Sequence, residues 1–251
     1  MEPSDYIFGI RAVIEAIEAG KEIDKIMIAK DIQGDLASEL IAKARNARVV
    51  MQRVPVERIN RITRKNHQGV IALMSAITYY RLDHLVPELY EAGLLPFIVI
   101  LDGITDVRNF GAIARTCECA GVDAIVIPEH GSVSVGGDAI KTSAGALHHI
   151  PVARVGSTSW AVRFLKENGY KVVAVSEKAD ENYTRISYTD PVAIVLGAED
   201  TGISPEVLRQ ADVRASIPMF GKIGSLNVSV AAGVTIYEVV RQRLAANLEV
   251  I

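Results

Sequence analysis

Four nearly continuous apolar runs constrain the fold most: FIVILD at 97–102, DAIVIP at 123–128, YKVVAVS at 170–176 and PVAIVLG at 191–197. A strand with one wet face alternates polar and apolar residues, but these runs have no polar face and must be covered on both sides. Amphipathic stretches separate them, among them NFGAIARTCECAG, closed by Gly121, and SWAVRFLKENG. That alternation predicts a parallel sheet with helices on both faces. Around the four runs, PVARV and VRASIP read as further strands, GDAIKTSAGAL and SPEVLRQA as helices, and SLNVSVAAGVTIYEVVRQRL as a long final helix.

The first part of the chain carries shorter alternations. GIRAVIEAIEAG reads as a helix ending at Gly20, DKIMIA as a strand, LASELIAKARNA as a helix, and RVVMQ and GVIALMSA as strands. Together they make a small α/β domain over 1–78. Residues 79–96 mix charge, proline and glycine around a short amphipathic piece, suiting a linker or bridging helix, and 97–251 form the second domain. A chain of 251 residues, 49% hydrophobic and 23% charged, can bury one generous core or two modest ones. No run approaches the roughly 18 apolar residues of a membrane span. The start, MEPSDYIFGIRAVIEA, is acidic and interrupted, unlike a signal peptide, so a cytoplasmic location is expected. Cys117 and Cys119 diverge on the expected helix, and no further Cys or suitably spaced His completes a metal set, so neither a local disulfide nor a metal is expected.

A net charge of -3 argues against a uniformly basic nucleic-acid binder. Its distribution says more, because Lys43, Arg45, Arg48, Arg53, Arg58, Arg61, Arg64, Lys65 and His67 face the single acid Glu57 over 43–67. Such a run is either a solvated face or a phosphate-facing patch. The lack of interleaved aromatics argues against a base-stacking platform.

Parallel α/β sheets bind ligands beyond the carboxyl ends of their strands. The dinucleotide fingerprint is absent, Gly221-Lys222 is followed by Ile223 and so is no P-loop, and there is no nucleophile elbow. His148-His149 reads as structural. Three polar, glycine-bearing loops remain at strand ends. The first carries Asp102, Asp106, Arg108 and Asn109 before a helix bearing Arg115, with Asn109 the candidate cap. The second runs from Gly197 through Glu199 and Asp200 to Gly202, its glycines open to close approach of a ligand. In the third, Ser225 or Asn227 caps a helix whose Ser229, Ala231, Ala232 and Gly233 let another backbone pass closely. Each loop alone is equally an ordinary capped or left-handed turn; jointly, at one sheet edge, they look like a site.

The sequences Asn109-Phe-Gly-Ala-Ile-Ala-Arg115, Ile194-Val-Leu-Gly-Ala-Glu-Asp-Thr-Gly202, and Ile217-Pro-Met through Ser225-Leu-Asn-Val-Ser-Val-Ala-Ala resemble the three motifs of the SpoU/TrmH branch of SPOUT methyltransferases. Tyr6-Ile-Phe-Gly-Ile-Arg-Ala-Val-Ile-Glu-Ala and His67-Gln-Gly-Val-Ile-Ala resemble the small RNA-recognition domain of the subgroup that methylates a guanosine ribose in large-subunit (23S) ribosomal RNA. The resemblance implies 2′-O-methylation of RNA from S-adenosylmethionine, by a homodimer whose carboxyl-terminal domain is threaded into a trefoil knot, without a metal. It implies that Leu196, Gly197, Ile217, Met219 and Leu226 hold the cofactor, largely through backbone groups. It assigns Asn109, Arg115, Glu199, Ser225 and Asn227 to the reaction site. Arg115 is the family's activator of the hydroxyl, yet a guanidinium accepts no hydrogen bond, so it suits a phosphate clamp and alkoxide stabiliser better than a base. RNA phosphates are expected on Arg58, Arg61, Arg64 and Lys65. The alternatives are a tRNA ribose methyltransferase, which would share every reacting residue, and a noncatalytic RNA-binding relative, which would be expected to have lost Arg115 or Asn227.

Overall fold

The computed structural model describes residues 6–93, 95–179 and 181–246. The outermost residues of the expected domains, 1–5 and 247–251, lie outside them. The chain divides into two compact units, one running to Thr78 and including Ser134–Gly137, the other built from Tyr79–Val133 and from Asp138 onward.

The first unit contains, in order, β1 (Tyr6–Phe8), α1 (Ile10–Glu18), β2 (Ile23–Ala29), α2 (Asp35–Asn46), β3 (Met51–Val54), α3 (Val56–Asn60) and β4 (Val70–Met74). Its sheet has the order β1-β4-β2-β3, with only β2 and β3 parallel. Side chains alternate across β2, so Ile26 and Ile28 pack with Val13, Leu40 and Ala44 of α1 and α2, while Met27 and Ala29 pack with Ile59 of α3. The strand expected at 48–52 begins later, because the chain turns at Arg48, whose φ is 55°. The brief β1 was not anticipated; it is placed by pairing Tyr6–Phe8 against Leu73–Ile71 of β4.

The second unit contains α4 (Leu82–Glu91), β5 (Phe97–Asp102), α5 (Val107–Cys119), β6 (Ala124–Pro128), α6 (Gly137–Thr142), β7 (Val152–Val155), α7 (Thr158–Glu167), β8 (Lys171–Val175), β9 (Glu181–Asn182), β10 (Val192–Gly197), α8 (Pro205–Gln210), β11 (Val213–Ser216) and α9 (Val228–Ala245). Among the described residues its seven strands are all parallel, in the order β7-β6-β5-β10-β8-β11-β9, as the apolar runs predict. Within 79–96, α4 buries Leu82, Leu85 and Val86 in this unit's core. The expected helix over 137–147 breaks after Thr142, since Ala144 and Gly145 take φ values of 52° and 86°.

Register fixes where the loops emerge. Leu196 pairs with Leu101 and Gly197 with Asp102, so β10 and β5 end level with each other. β8 flanks β10 on its other side. The late strands β10 and β11 are inserted between strands that precede them in the chain, and α9 then packs on α5. Cys117 is buried, which pushes its thiol far above the ordinary range, and Cys119 is exposed; both are free.

Candidate functional site

The loops after β5 and β10 and the loop before α9 meet through side-chain hydrogen bonds. Asp102, at the end of β5, accepts from Thr158 Oγ1 at 2.6 Å and from the Ser204 backbone N–H at 2.7 Å, tying its strand to the first turn of α7 and the start of α8. The cap of α5 is Asp106, not Asn109: its carboxylate accepts from the N–H groups of Arg108 and Asn109 at 2.7 and 3.2 Å. The Arg108 side chain and those backbone donors hold the Asp106 carboxyl below the usual carboxylate range. Capping by Asp106 leaves the Asn109 amide free to turn outward.

Asn109 Nδ2 donates to Glu199 Oε1 at 3.0 Å, and Asn109 Oδ1 accepts from Asn227 Nδ2 at 3.1 Å. Asn227 Nδ2 also donates to Glu199 Oε1. The same Asn227 is the cap of α9, its Oδ1 accepting from Ser229 N–H at 2.9 Å and Ser229 Oγ at 2.6 Å. One residue from each motif therefore enters a closed triad. Glu199 Oε1 takes both amides, while Oε2 accepts no hydrogen bond from a described residue.

Beside the triad is a cavity of about 330 Å³, lined by Leu196, Gly197, Glu199, Ile217, Met219, Ser225, Leu226 and Asn227. Asn109 touches this group through its hydrogen bonds. Arg115 is not among the lining residues; it is exposed on α5 with no hydrogen bond or ion pair to a described residue. Sequence reasoning missed the fourth wall, Ser176, Glu177 and Lys178, directly after β8. The signal was available, since the run ending at Ser176 is a strand of the same parallel sheet. Gly197 lines the cavity and also meets a packing demand of the fold. A Cβ there would overlap the backbone of Gly202 and Ile203, so the close neighbour is the chain's own loop, closed by Gly202 N–H donating to Ala198 O at 2.8 Å.

In the first unit, Arg58, Arg61, Arg64 and Lys65 are all exposed, and the Lys65 ammonium lies 5.8 Å from the Phe8 ring centroid. Lys43, by contrast, is engaged by Glu18 and Glu39. Among the described residues no group of His, Cys, Asp and Glu is set to hold a metal ion, and no helix is long and apolar enough to cross a membrane.

Residues 96–237 match the SpoU rRNA methylase family, and residues 6–80 match the RNA 2′-O ribose methyltransferase substrate-binding family. The TrmH-family protein YacO of Bacillus subtilis, a provisionally named tRNA/rRNA methyltransferase, is 36% identical over 95% of this chain and 96% of its own. Among solved structures, the AdoMet-bound rRNA methyltransferase of Sinorhizobium meliloti aligns with a TM-score of 0.60 at 27% identity, covering 94% of this chain and 86% of that one. The TrmH/SpoU tRNA modifying enzyme of A. aeolicus aligns with a TM-score of 0.56 at 30% identity, covering 66% of this chain and 86% of that one.

Proposed function

The chain belongs to the SpoU rRNA methylase family, whose members are S-adenosylmethionine-dependent RNA 2′-O-methyltransferases, and from that premise we propose that it methylates a guanosine ribose in 23S ribosomal RNA as a homodimer. One contrast favours ribosomal RNA. The S. meliloti rRNA methyltransferase aligns over 94% of this chain, whereas the A. aeolicus tRNA modifying enzyme aligns over 66%.

The observation that carries the reading is the Asn109–Glu199–Asn227 triad at the rim of the cavity. The cavity fits S-adenosylmethionine: its volume falls at the lower end of the roughly 300–1,000 Å³ of small-ligand pockets. Leu196, Ile217, Met219 and Leu226 offer apolar surface to an adenine, beside polar groups for a ribose and an amino acid. When bound, that group supplies a methyl carbon already activated by a sulfonium.

The chain's own residues then have three tasks. The triad sets the direction of Glu199, whose Oε2 is the acceptor for the ribose 2′-hydroxyl proton, because Oε1 is engaged by two amides. Ser225 and Asn227 bound the space in which oxygen meets carbon. Arg115, six residues beyond Asn109 and so about 9 Å along α5, clamps a phosphate and offsets the charge growing on the ribose oxygen. The first unit selects RNA, with Arg58, Arg61, Arg64 and Lys65 on phosphates.

The test is transfer of labelled methyl from S-adenosylmethionine to protein-free ribosomal RNA and, separately, to tRNA, by the wild type and Arg115→Ala. Label in an alkali-resistant dinucleotide of ribosomal RNA, reduced about a hundredfold or more by Arg115→Ala, is the expected result. Label confined to tRNA would replace the proposed substrate, and equal activity of the variant would remove Arg115 from the reaction.

A further inference from the structure

We infer that His67 and Asn60 form a clasp that holds the basic loop between α3 and β4 in its RNA-binding shape, which makes His67 a positioning residue for the substrate. The inference rests on the reading that Arg61, Arg64 and Lys65 meet RNA phosphates. His67 is 9% exposed, and both ring nitrogens are used. Gly69 N–H donates to Nδ1 at 3.0 Å, which requires a lone pair there and puts the ring proton on Nε2. Nε2–H therefore donates to Asn60 Oδ1, 2.8 Å away.

Asn60 is the last residue of α3 and His67 lies three residues before β4, so this bond closes the segment 60–67 across its ends. Within it, Thr63 is buried and its Oγ1 accepts from Lys65 N–H at 3.3 Å. Just beyond it, Gln68 is held at a φ of 52°, in the left-handed region a long side chain rarely takes. Its Oε1 accepts from Ile10 N–H at 3.1 Å, anchoring the exit of the loop to α1. The three cationic side chains of the segment take no part in this internal bracing: Arg61, Arg64 and Lys65 are exposed. A loop braced at both ends presents its charges without an ordering cost on binding, whereas an open loop would have to be ordered by the RNA.

Two replacements of His67 divide its roles. In His67→Asn the side-chain oxygen takes the place of Nδ1, keeping the Gly69 bond and losing the clasp. In His67→Gln the side-chain amide takes the place of Nε2, keeping the clasp and losing the Gly69 bond. Asn60→Ala, at an exposed position, opens the clasp from the other side. Binding of the full chain to protein-free ribosomal RNA is measured across a salt series, with S-adenosylmethionine binding and KM and kcat determined in parallel.

Loss of one hydrogen bond of about 1 kcal/mol corresponds to about fivefold weaker RNA binding for Asn60→Ala and His67→Asn. The expected pattern is a raised KM for RNA, unchanged kcat and cofactor binding, and near wild-type behaviour of His67→Gln. Wild-type RNA affinity in Asn60→Ala would overturn the clasp, as would equal loss in His67→Gln and His67→Asn, which would make His67 a packing residue. The triple variant Arg61→Ala, Arg64→Ala, Lys65→Ala isolates the underlying reading. If it binds RNA like the wild type, the loop does not meet RNA; if it binds weakly while Asn60→Ala does not, only the clasp fails.

Discussion

Asn227 performs two tasks with one amide. Its oxygen caps α9 and its nitrogen joins Asn109 and Glu199. Serine at this position keeps a capping oxygen but cannot reach across the loops. Asn227→Ser is therefore expected to lower kcat for methyl transfer about ten- to a hundredfold at nearly unchanged melting temperature. Asn227→Ala should lose activity similarly and also about 1 kcal/mol of stability, as capping losses do. Kinetics and thermal melts on the two variants separate the roles; a Ser variant with wild-type kcat would make the residue a cap only. The sequence shows which three residues to examine, but not that they touch, because they come from positions 109, 199 and 227.

At the scale of elements, α5 is the helix that positions the first motif, and its start depends on an ionised carboxylate. Asp106 has its folded-state pKa lowered, first by the Arg108 side chain and then by the backbone N–H groups it caps. The capped state thus binds a proton less readily than the unfolded chain. Its stabilisation is present above the ordinary aspartate range and is lost as pH falls from that range through the depressed folded value. Asp106→Asn keeps a capping oxygen and removes the titration, so melting curves across this range should show a shallower acid limb than the wild type. An identical acid limb would mean that other carboxylates dominate it. The cap was misassigned from sequence because Asp106 and Asn109 are both good capping types, and only the path of the chain after Asp102 selects between them.

At the scale of the molecule, α9 starts at the reaction site with Asn227 and presents an exposed outer face. Val230, Tyr237 and Leu244 are 51%, 50% and 61% exposed, and with Gly233, which has open space beside it, they form one stripe along the helix. Interrupted by the exposed Arg241, this mostly apolar stripe suits a second copy of the chain. Tyr237→Glu, combined with Val230→Glu, is expected to convert a dimer into a monomer in sedimentation equilibrium, with retained secondary structure by circular dichroism. A monomeric wild type, or a double variant that remains dimeric, would exclude this face. The inner side of the same helix is fastened differently. Arg243 is buried and donates to the carbonyls of Leu95, Pro96, Tyr188 and Asp190, which holds the end of α9 against the chain segments that lead into β5 and β10.

The sequence by itself determined the parallel sheet, through apolar runs too continuous to have a wet face, and the three loops that carry the motifs, through glycines and polar residues placed at strand ends. It also located the basic stretch. Only the tertiary structure decided that β10 lies between β5 and β8, so that Ser176–Lys178 becomes a wall of the cavity. It likewise decided that Gly197 makes room for the chain's own loop, that Arg243 is a buried anchor, and that His67 bridges back to Asn60. The physical reason is common to all four. Periodicity and turn chemistry are local along the chain, whereas strand insertion, close backbone approach and the partners of a buried donor are set by residues far apart in sequence, or by the space a loop encloses, and have no local period to read.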